Sequence, residues 1–209
     1  MRNIDPQNIQ IRLSTSSELD DIRKFLFFTY CLVDGWYPPV GDPAHFRVEG
    51  NRLLDDRDFL STHFIALANG VIVGCVRASF RVAGKLQFEI YDDDQAPSNF
   101  DVEISRFSIV PSMRKTSVGL RLMDAMLSWC IEKGFLACCP PSEPKLLEHY
   151  MLLGIPHATG RKPFYYYKDD KPVTLLAGKD LDDQKSLLEG IRVVLRRRLG
   201  KDDKPKPNL

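Results

Sequence analysis

Residues 102–133 constrain this chain most. Residues 102–110 are a run of apolar and small residues closed by Pro111, which reads as a strand. Thr116-Ser117-Val118-Gly119 then make a turn of small residues. From 118 to 133 the chain carries Val118, Leu122, Met126 and Trp129 on one helical stripe, and Gly134 is placed to stop the helix. A strand that feeds a helix through so tight a turn aims several backbone N–H groups, with the positive end of the helix dipole, at one spot. A phosphate or pyrophosphate can sit there without a lysine. Many strand–turn–helix units bind nothing, so the geometry alone leaves the ligand open.

The flanking sequence supplies the rest of a mixed fold. Ile9-Gln10-Ile11-Arg12-Leu13 alternates as a half-buried strand. Ser14 to Ser17 offer N-caps to a helix over 18–28. Segments 63–68 and 71–80 read as a hairpin around Asn69-Gly70, two residues that tolerate positive φ. Further strands are expected at 86–91 and 135–139, and a strand pair at 164–168 and 173–176. Helices are expected at 143–153 and 181–199. This order predicts an α/β fold: a mixed, largely antiparallel central sheet, with parallel pairs at its centre and helices on both faces.

Composition excludes several classes. Lys+Arg 29 against Asp+Glu 28 leaves a net charge of +1, which speaks against a general nucleic-acid binder. No apolar run is long enough to span a bilayer, and the N-terminus lacks the apolar stretch of a secretion signal, so a cytoplasmic location is expected. The five cysteines include an adjacent pair, Cys138-Cys139, and no CxxC, and the four histidines show no metal spacing. They read as buried or structural residues, and no metal is expected.

The turn resembles a known motif. Arg114-Lys115-Thr116-Ser117-Val118-Gly119 is similar to the Arg/Gln-x-x-Gly-x-Gly/Ala pyrophosphate loop of the GCN5-related N-acetyltransferase superfamily, with Ser117 at the first glycine. The resemblance implies the acyl-CoA N-acyltransferase fold, with an N-acyltransferase domain over 1–180 followed by a C-terminal helix and flexible tail over 181–209. It puts Glu103 at the general-base position of the central strand. It makes Phe107, Ser108, Ile109, Arg114, Lys115, Thr116, Ser117, Val118 and Gly119 the donor-binding set. Leu146 to Gly154 resembles the last motif helix, which makes Tyr150 the proton donor to the departing thiolate.

A narrower resemblance, to the autoinducer (acyl-homoserine-lactone) synthases, rests on Glu103-x-Ser105-Arg106-Phe107, Arg23-x-x-x-Phe27, Asp55-x-x-Asp58 and Val73-Gly74-Cys75-Val76-Arg77. It implies that Arg23, Phe27, Trp36, Arg77, Ser105 and Arg106 contact the substrate. Trp36 stands out of register with the family's tryptophan. The closing half, with Tyr150 and the strands of 163–180, looks more like the related N-acyl amino acid synthases.

The function so implied is transfer of an acyl group, long-chain by analogy with both branches, from an acyl thioester to a small primary amine such as an amino acid. The donor is acyl-CoA or acyl carrier protein, used as co-substrate without any other cofactor. The alternatives are an acyl-homoserine-lactone synthase and a non-catalytic acyl-CoA-binding sensor. Each residue also has a plainer reading. Glu103 can be one half of a structural ion pair with Arg77 or Arg106, and Tyr150 can be core. Arg23 and Arg77 can be surface ion pairs, and Phe25 to Phe28 can be core rather than the wall of an acyl tunnel. Arg196-Arg197-Arg198 can be a solvated helix end or a docking surface for an acidic carrier protein.

Overall fold

The computed structural model describes residues 8–92, 95–141, 156–158, 160–168 and 171–202. Its centre is a six-stranded sheet built from β1 (Gln10–Leu13), β4 (Ser61–Ala68), β5 (Val71–Phe80), β6 (Val102–Ile109), β7 (Ala137–Cys139) and β10 (Leu176–Ala177), in the order β1-β4-β5-β6-β7-β10. Only β6 and β7 pair in parallel; the other neighbours are antiparallel. Two small antiparallel pairs lie outside this sheet: β2 (Arg47–Glu49) with β3 (Arg52–Leu54), and β8 (Phe164–Tyr165) with β9 (Pro172–Val173).

Alternation along β4 sorts the two faces. Phe64, Ala66 and Ala68 join the core under helix α2 (Val118–Glu132) and the C-terminal helix α3 (Leu181–Asp202). Ile65 and Leu67 join a second core under α1 (Leu19–Leu26), with Ile22, Phe25 and Leu26. Helices therefore cover both faces, as the sequence predicts. Asn69 and Gly70 take φ of 51° and 79°, the left-handed pair that closes a two-residue hairpin. Thr15 and Glu18 form a capping box ahead of α1. Gly134, at φ 72°, ends the turn after α2.

The structure departs from the sequence reading at several elements. Segment 86–91 is not a strand: Phe88–Ile90 form a 3-10 turn. Glu89 turns back to accept the Leu86 N–H at 2.8 Å and the Ser98 N–H at 2.6 Å, and this local bonding displaces ladder pairing. The strand expected at 173–176 splits. Pro172–Val173 pair with β8, while Leu176–Ala177 cross to β7. The α1 helix does not stop at 28 but runs on as a π-helix, Phe27–Val33. There the buried Thr29 hydroxyl donates back to the Phe25 and Leu26 carbonyls, competing with the helical ladder. The helix expected at 143–153, and Tyr150 with it, lies outside the described residues.

Helix α2 crosses the sheet closely at Gly74, where an added Cβ would lie 2.9 Å from Leu122 Cδ1. Gly74→Ala should therefore destabilise the chain by about 1–3 kcal/mol in urea titrations. The same change should cost well under half of that in a Leu122→Ala background. Equal costs in the two backgrounds would show that the close crossing is not what restricts position 74.

Candidate active site

Strand β6 positions the chemistry. Its pairing with β5 slips between Cys75 and Arg77: Cys75 faces Ser108 and Arg77 faces Ser105, so Arg106 and Phe107 together oppose Val76. This is a β-bulge, and Arg106 sits in it at φ 54°. A bulky residue held there is backbone strain at a candidate site. On its other side β6 pairs with β7 only at Val102 and Glu103. Beyond Glu103 the two strands part, which leaves one side of the 104–109 stretch without β7 as a partner.

Glu103 stands at that fork and is almost fully buried. Its Oε2 accepts the Phe88 N–H at 2.7 Å. The ion pair offered as its plainer reading is not formed, because Arg77 and Arg106 both bind Asp55. Burial raises the Glu103 carboxyl to about 7, against the pull of the Phe88 N–H and the charges of Arg77 and Arg57. A carboxylate that titrates near neutrality can accept a proton and give it up again.

The charged residues singled out in the sequence converge on the same face. Arg77 is fully buried and its Nη1 contacts Asp55 at 2.6 Å and Asp58 at 3.2 Å. Its Nη2 donates to Gln87 Oε1 at 2.6 Å and its Nε to Ser105 Oγ at 3.2 Å. Arg106 donates to Asp55 at 3.0 Å, and Arg23 donates to Asp58 at 2.8 Å. Arg23 and Arg77 are thus members of one interior network, not surface pairs. Burial alone would raise the Asp55 carboxyl; the Arg77 and Arg106 charges, with hydrogen bonds from Arg77 and the Arg57 N–H, hold it at about 2. His63, the Arg77 partner on β4, is pushed down to about 3 by burial and by Arg77, so its imidazole is neutral.

Aromatic rings close the outer side. Trp36 meets Tyr30 and Phe46 edge to face, at 5.8 and 6.2 Å. The Arg106 guanidinium lies 3.9 Å from the Phe46 ring centre. Trp36 therefore reaches the network despite its shifted register. Phe27 is half-buried against the α1-face core, where Phe25 and Leu26 are fully packed.

The 114–119 turn is held from both ends. Arg114 donates through Nε to the Ile109 carbonyl at 3.0 Å and grips both Asp34 oxygens at 2.8 and 2.9 Å. The Thr116 hydroxyl donates to the Met113 carbonyl and accepts the Val118 N–H. Lys115 is exposed, while Ser117 and Val118 are buried. Val118 N–H is taken by Thr116, while the next N–H groups at the start of α2, those of Gly119 and Leu120, have no intrahelical acceptor. Gly119 does a job the sequence did not show: a Cβ there would come within 3.0 Å of Ile109 and 3.2 Å of Phe107, so its smallness lets α2 settle on β6. Ser108 donates to the Thr29 hydroxyl at 2.8 Å, which ties the strand to the π-helix. Thr29, Arg57 and Gln87 carry no motif, and His63 opens the strand that follows Asp55-x-x-Asp58; only the folded sheet brings the four to the site.

A bulged strand beside a splayed parallel partner, a small-residue turn at a helix N-terminus and a buried carboxylate define an acyltransferase of the GNAT kind. The chain belongs to the acetyltransferase (GNAT) family, which it matches over residues 27–155. None of the curated proteins compared with it matches. Among solved structures it is similar to BjaI, a CoA-dependent acyl-homoserine lactone synthase solved with SAM and isopentyl-CoA. The two are 16% identical over 88% of this chain and 90% of BjaI, with a TM-score of 0.63. It is similar to the acyl-homoserine lactone synthase LasI at 16% identity, over 87% and 95% of the two chains, with a TM-score of 0.63. It is similar also to FeeM, an N-acyl amino acid synthase from uncultured soil microbes, at 16% identity over 86% and 94%, with a TM-score of 0.59. At these identities the likeness establishes the shared fold.

Asp55 joins three partners, so Asp55→Ala takes the carboxylate from the buried Arg106 and the nearer of two carboxylates from the buried Arg77. Chemical denaturation should show a loss of about 3–5 kcal/mol. The Asp55 carboxyl is depressed when folded, so its contribution is present above about pH 4 and is lost as pH falls toward 2. A variant as stable as the parent would mean that Asp55 does not hold the network.

Proposed function

We propose that the chain is a cytoplasmic N-acyltransferase that moves a long acyl group from a thioester, on CoA or acyl carrier protein, to a small primary amine such as an amino acid. The observation that carries this reading is Glu103: a buried carboxyl at the fork of β6 and β7, raised to about 7 and bonded to one backbone N–H rather than neutralised by arginine. In this reading the donor lies along the open side of β6, with its phosphates at the N–H groups of the turn before α2. The amine attacks the thioester carbonyl, and Glu103 accepts the ammonium proton. Strand N–H groups near Phe107 and Ser108 stabilise the oxyanion, and Tyr150 protonates the thiolate. Arg23, Phe27, Trp36, Arg77, Ser105 and Arg106 shape the acceptor side.

The long-chain part of the proposal rests on the two resemblances. The apolar cavity lined by Ile104, Met123, Leu127, Cys139, Leu176 and Leu187 measures about 20 Å³, room for about one water, and lies on the α2 and α3 side of the sheet rather than under α1, where Phe25 to Phe28 would wall an acyl tunnel. A second reading, an acyl-homoserine-lactone synthase, is favoured by one observation: Arg23, Asp55, Asp58, Arg77, Ser105 and Arg106, which carry that resemblance, form one bonded network. Mass spectrometry of the acylated product separates the two, since one is a lactone and the other a linear amide.

Glu103→Gln should lower turnover by about 10²–10⁴-fold while keeping the fold. The folded value lies above the ordinary 4.5, so the Glu103 contribution to stability is present below about pH 4.5 and is lost as pH rises through 7. Glu103→Gln escapes that loss and should melt higher than the parent at pH 8. Turnover of the variant equal to the parent's between pH 6 and 9 would remove Glu103 from the mechanism; donor binding by the parent without turnover on any amine would leave a donor-binding sensor.

Each methylene taken from water contributes about 0.8 kcal/mol. With half of that gain lost to ordering, the eight extra methylenes of decanoyl thioester should make it preferred to acetyl by about 200-fold in kcat/KM on the same amine. Equal use of acetyl would leave an ordinary acetyltransferase.

A further inference from the structure

Gln87 carries a buried polar atom that the fold leaves without a partner. The residue is 2% exposed and stands at the N-cap of the 3-10 turn Phe88–Ile90. Its Oε1 accepts the Arg77 Nη2–H at 2.6 Å, while among the described residues its Nε2 bonds to nothing. Gln184, equally buried, shows what a structural glutamine does in this protein. Its Oε1 accepts the Ala137 N–H at 2.9 Å and its Nε2 donates to the Phe135 carbonyl at 3.1 Å. Turning the Gln87 amide over does not remove the difference. A guanidinium has only donors, so the amide oxygen must face Arg77 and the NH2 group must face away from it. Buried donors are nearly always paired, and one left alone costs stability.

The neighbours of Gln87 place that NH2 group at the site. The next residue, Phe88, donates its N–H to Glu103 Oε2 at 2.7 Å. Across β5 and β6, Arg77 faces Ser105 and Ser79 faces Glu103, so Arg77 and Glu103 are a diagonal pair on one face of the sheet. Gln87 thus joins the guanidinium network to the carboxyl at the fork. The cations nearby are already committed: Arg77 to Asp55 and Asp58, Arg106 to Asp55, Arg23 to Asp58, and Arg57 to the Phe80 and Lys85 carbonyls. Two other buried side-chain nitrogens lack a hydrogen-bond partner among the described residues. His63 Nε2 belongs to β4, on the far side of Arg77 from β6 and Glu103. Arg161 Nε belongs to a guanidinium stacked over the Phe88 ring at 5.3 Å. The donor left for a ligand beside Glu103 is the Gln87 amide.

An amine that gives its proton to Glu103 holds its nitrogen at that carboxyl. In an α-amino carbonyl compound, an oxygen follows the nitrogen after only two carbon atoms. We propose that Gln87 selects the acceptor: its Nε2–H donates to the carbonyl or carboxylate oxygen of an α-amino compound whose nitrogen is held at Glu103. This rests on the acyltransferase reading above. It moves recognition of the acceptor from the arginines, which bind aspartates, to a neutral amide. A site built around such a donor rejects the analogue that leaves the donor unpaired.

The test uses the full-length chain with decanoyl-CoA and four amines that differ at one group: alanine, alaninamide, isopropylamine and 1,2-diaminopropane. Ratios of kcat/KM between amines are read within each variant at its own pH optimum, so a general loss of activity cancels. The parent should prefer alanine or alaninamide to isopropylamine by about 30-fold or more. Gln87→Glu keeps an acceptor for Arg77 and removes the N–H. Its preference should fall below about threefold, through KM, and its use of 1,2-diaminopropane relative to isopropylamine should rise about tenfold. Gln87→Met carries neither polar atom and should lose the preference without gaining the diamine, with thermal melting as the check on folding. The parent's own ratio stands whether or not a variant folds. In the parent, alanine well above alaninamide assigns the N–H to a carboxylate, and near-equal use of the two assigns it to a carbonyl oxygen. A purely structural Gln87 would lower all four amines together and leave the ratios unchanged, and that result overturns the proposal. A parent that uses isopropylamine as well as alanine and alaninamide overturns it too. A parent that binds decanoyl-CoA and acylates none of the four overturns the acyltransferase reading, and this inference with it.

Discussion

The Arg77–Asp55 pair is the contact on which the rest of this site depends. Both side chains are out of water, 2.6 Å apart, in the middle of the sheet. A guanidinium cannot shed its proton to escape burial, so it must be surrounded by acceptors. Asp55, Asp58, Gln87 and Ser105 provide them, from three different segments. That requirement pins the 3-10 turn after β3, the start of the 86–91 segment and β6 against one another. Arg106 and Arg23 then join through the same two aspartates.

This arrangement also explains why Glu103 can keep an unusual proton affinity. The neighbouring arginines are close enough to lower its pKa but are already committed to aspartates. Burial therefore wins, and a single backbone N–H from Phe88 is its hydrogen-bond partner among the described residues. A direct arginine contact would have made it an ordinary structural carboxylate. The arginines thus take the two aspartates, and the glutamate at the fork of β6 and β7 is left to a backbone N–H.

Close packing does the remaining work of placement. Gly119 lets α2 sit on Phe107 and Ile109, so the helix N-terminus and the bulged strand share one corner. Arg114 fastens that corner to Asp34 at the end of the π-helix, and Ser108 fastens it to Thr29. The segment that runs on from α1 is thereby tied to the turn before α2. These polar ties join elements from distant parts of the chain at one corner.

The sequence by itself determined the local elements whose cause is local. The Asn69-Gly70 hairpin, the helix stripe from Val118 and its stop at Gly134 follow from neighbouring residues, and all three are present. The motif around Glu103 and the 114–119 turn was legible for the same reason, since chemistry and spacing lie within twenty residues. Tertiary structure decided what depends on partners far away in the chain. Glu89 turned a β-like stretch into a 3-10 turn by bonding to Leu86 and Ser98. Residues 173–176 were divided between two sheets by their neighbours. Whether Glu103 would meet an arginine or a lone N–H was settled by Asp55, nearly fifty residues earlier, because a buried guanidinium binds the carboxylate that the fold brings nearest.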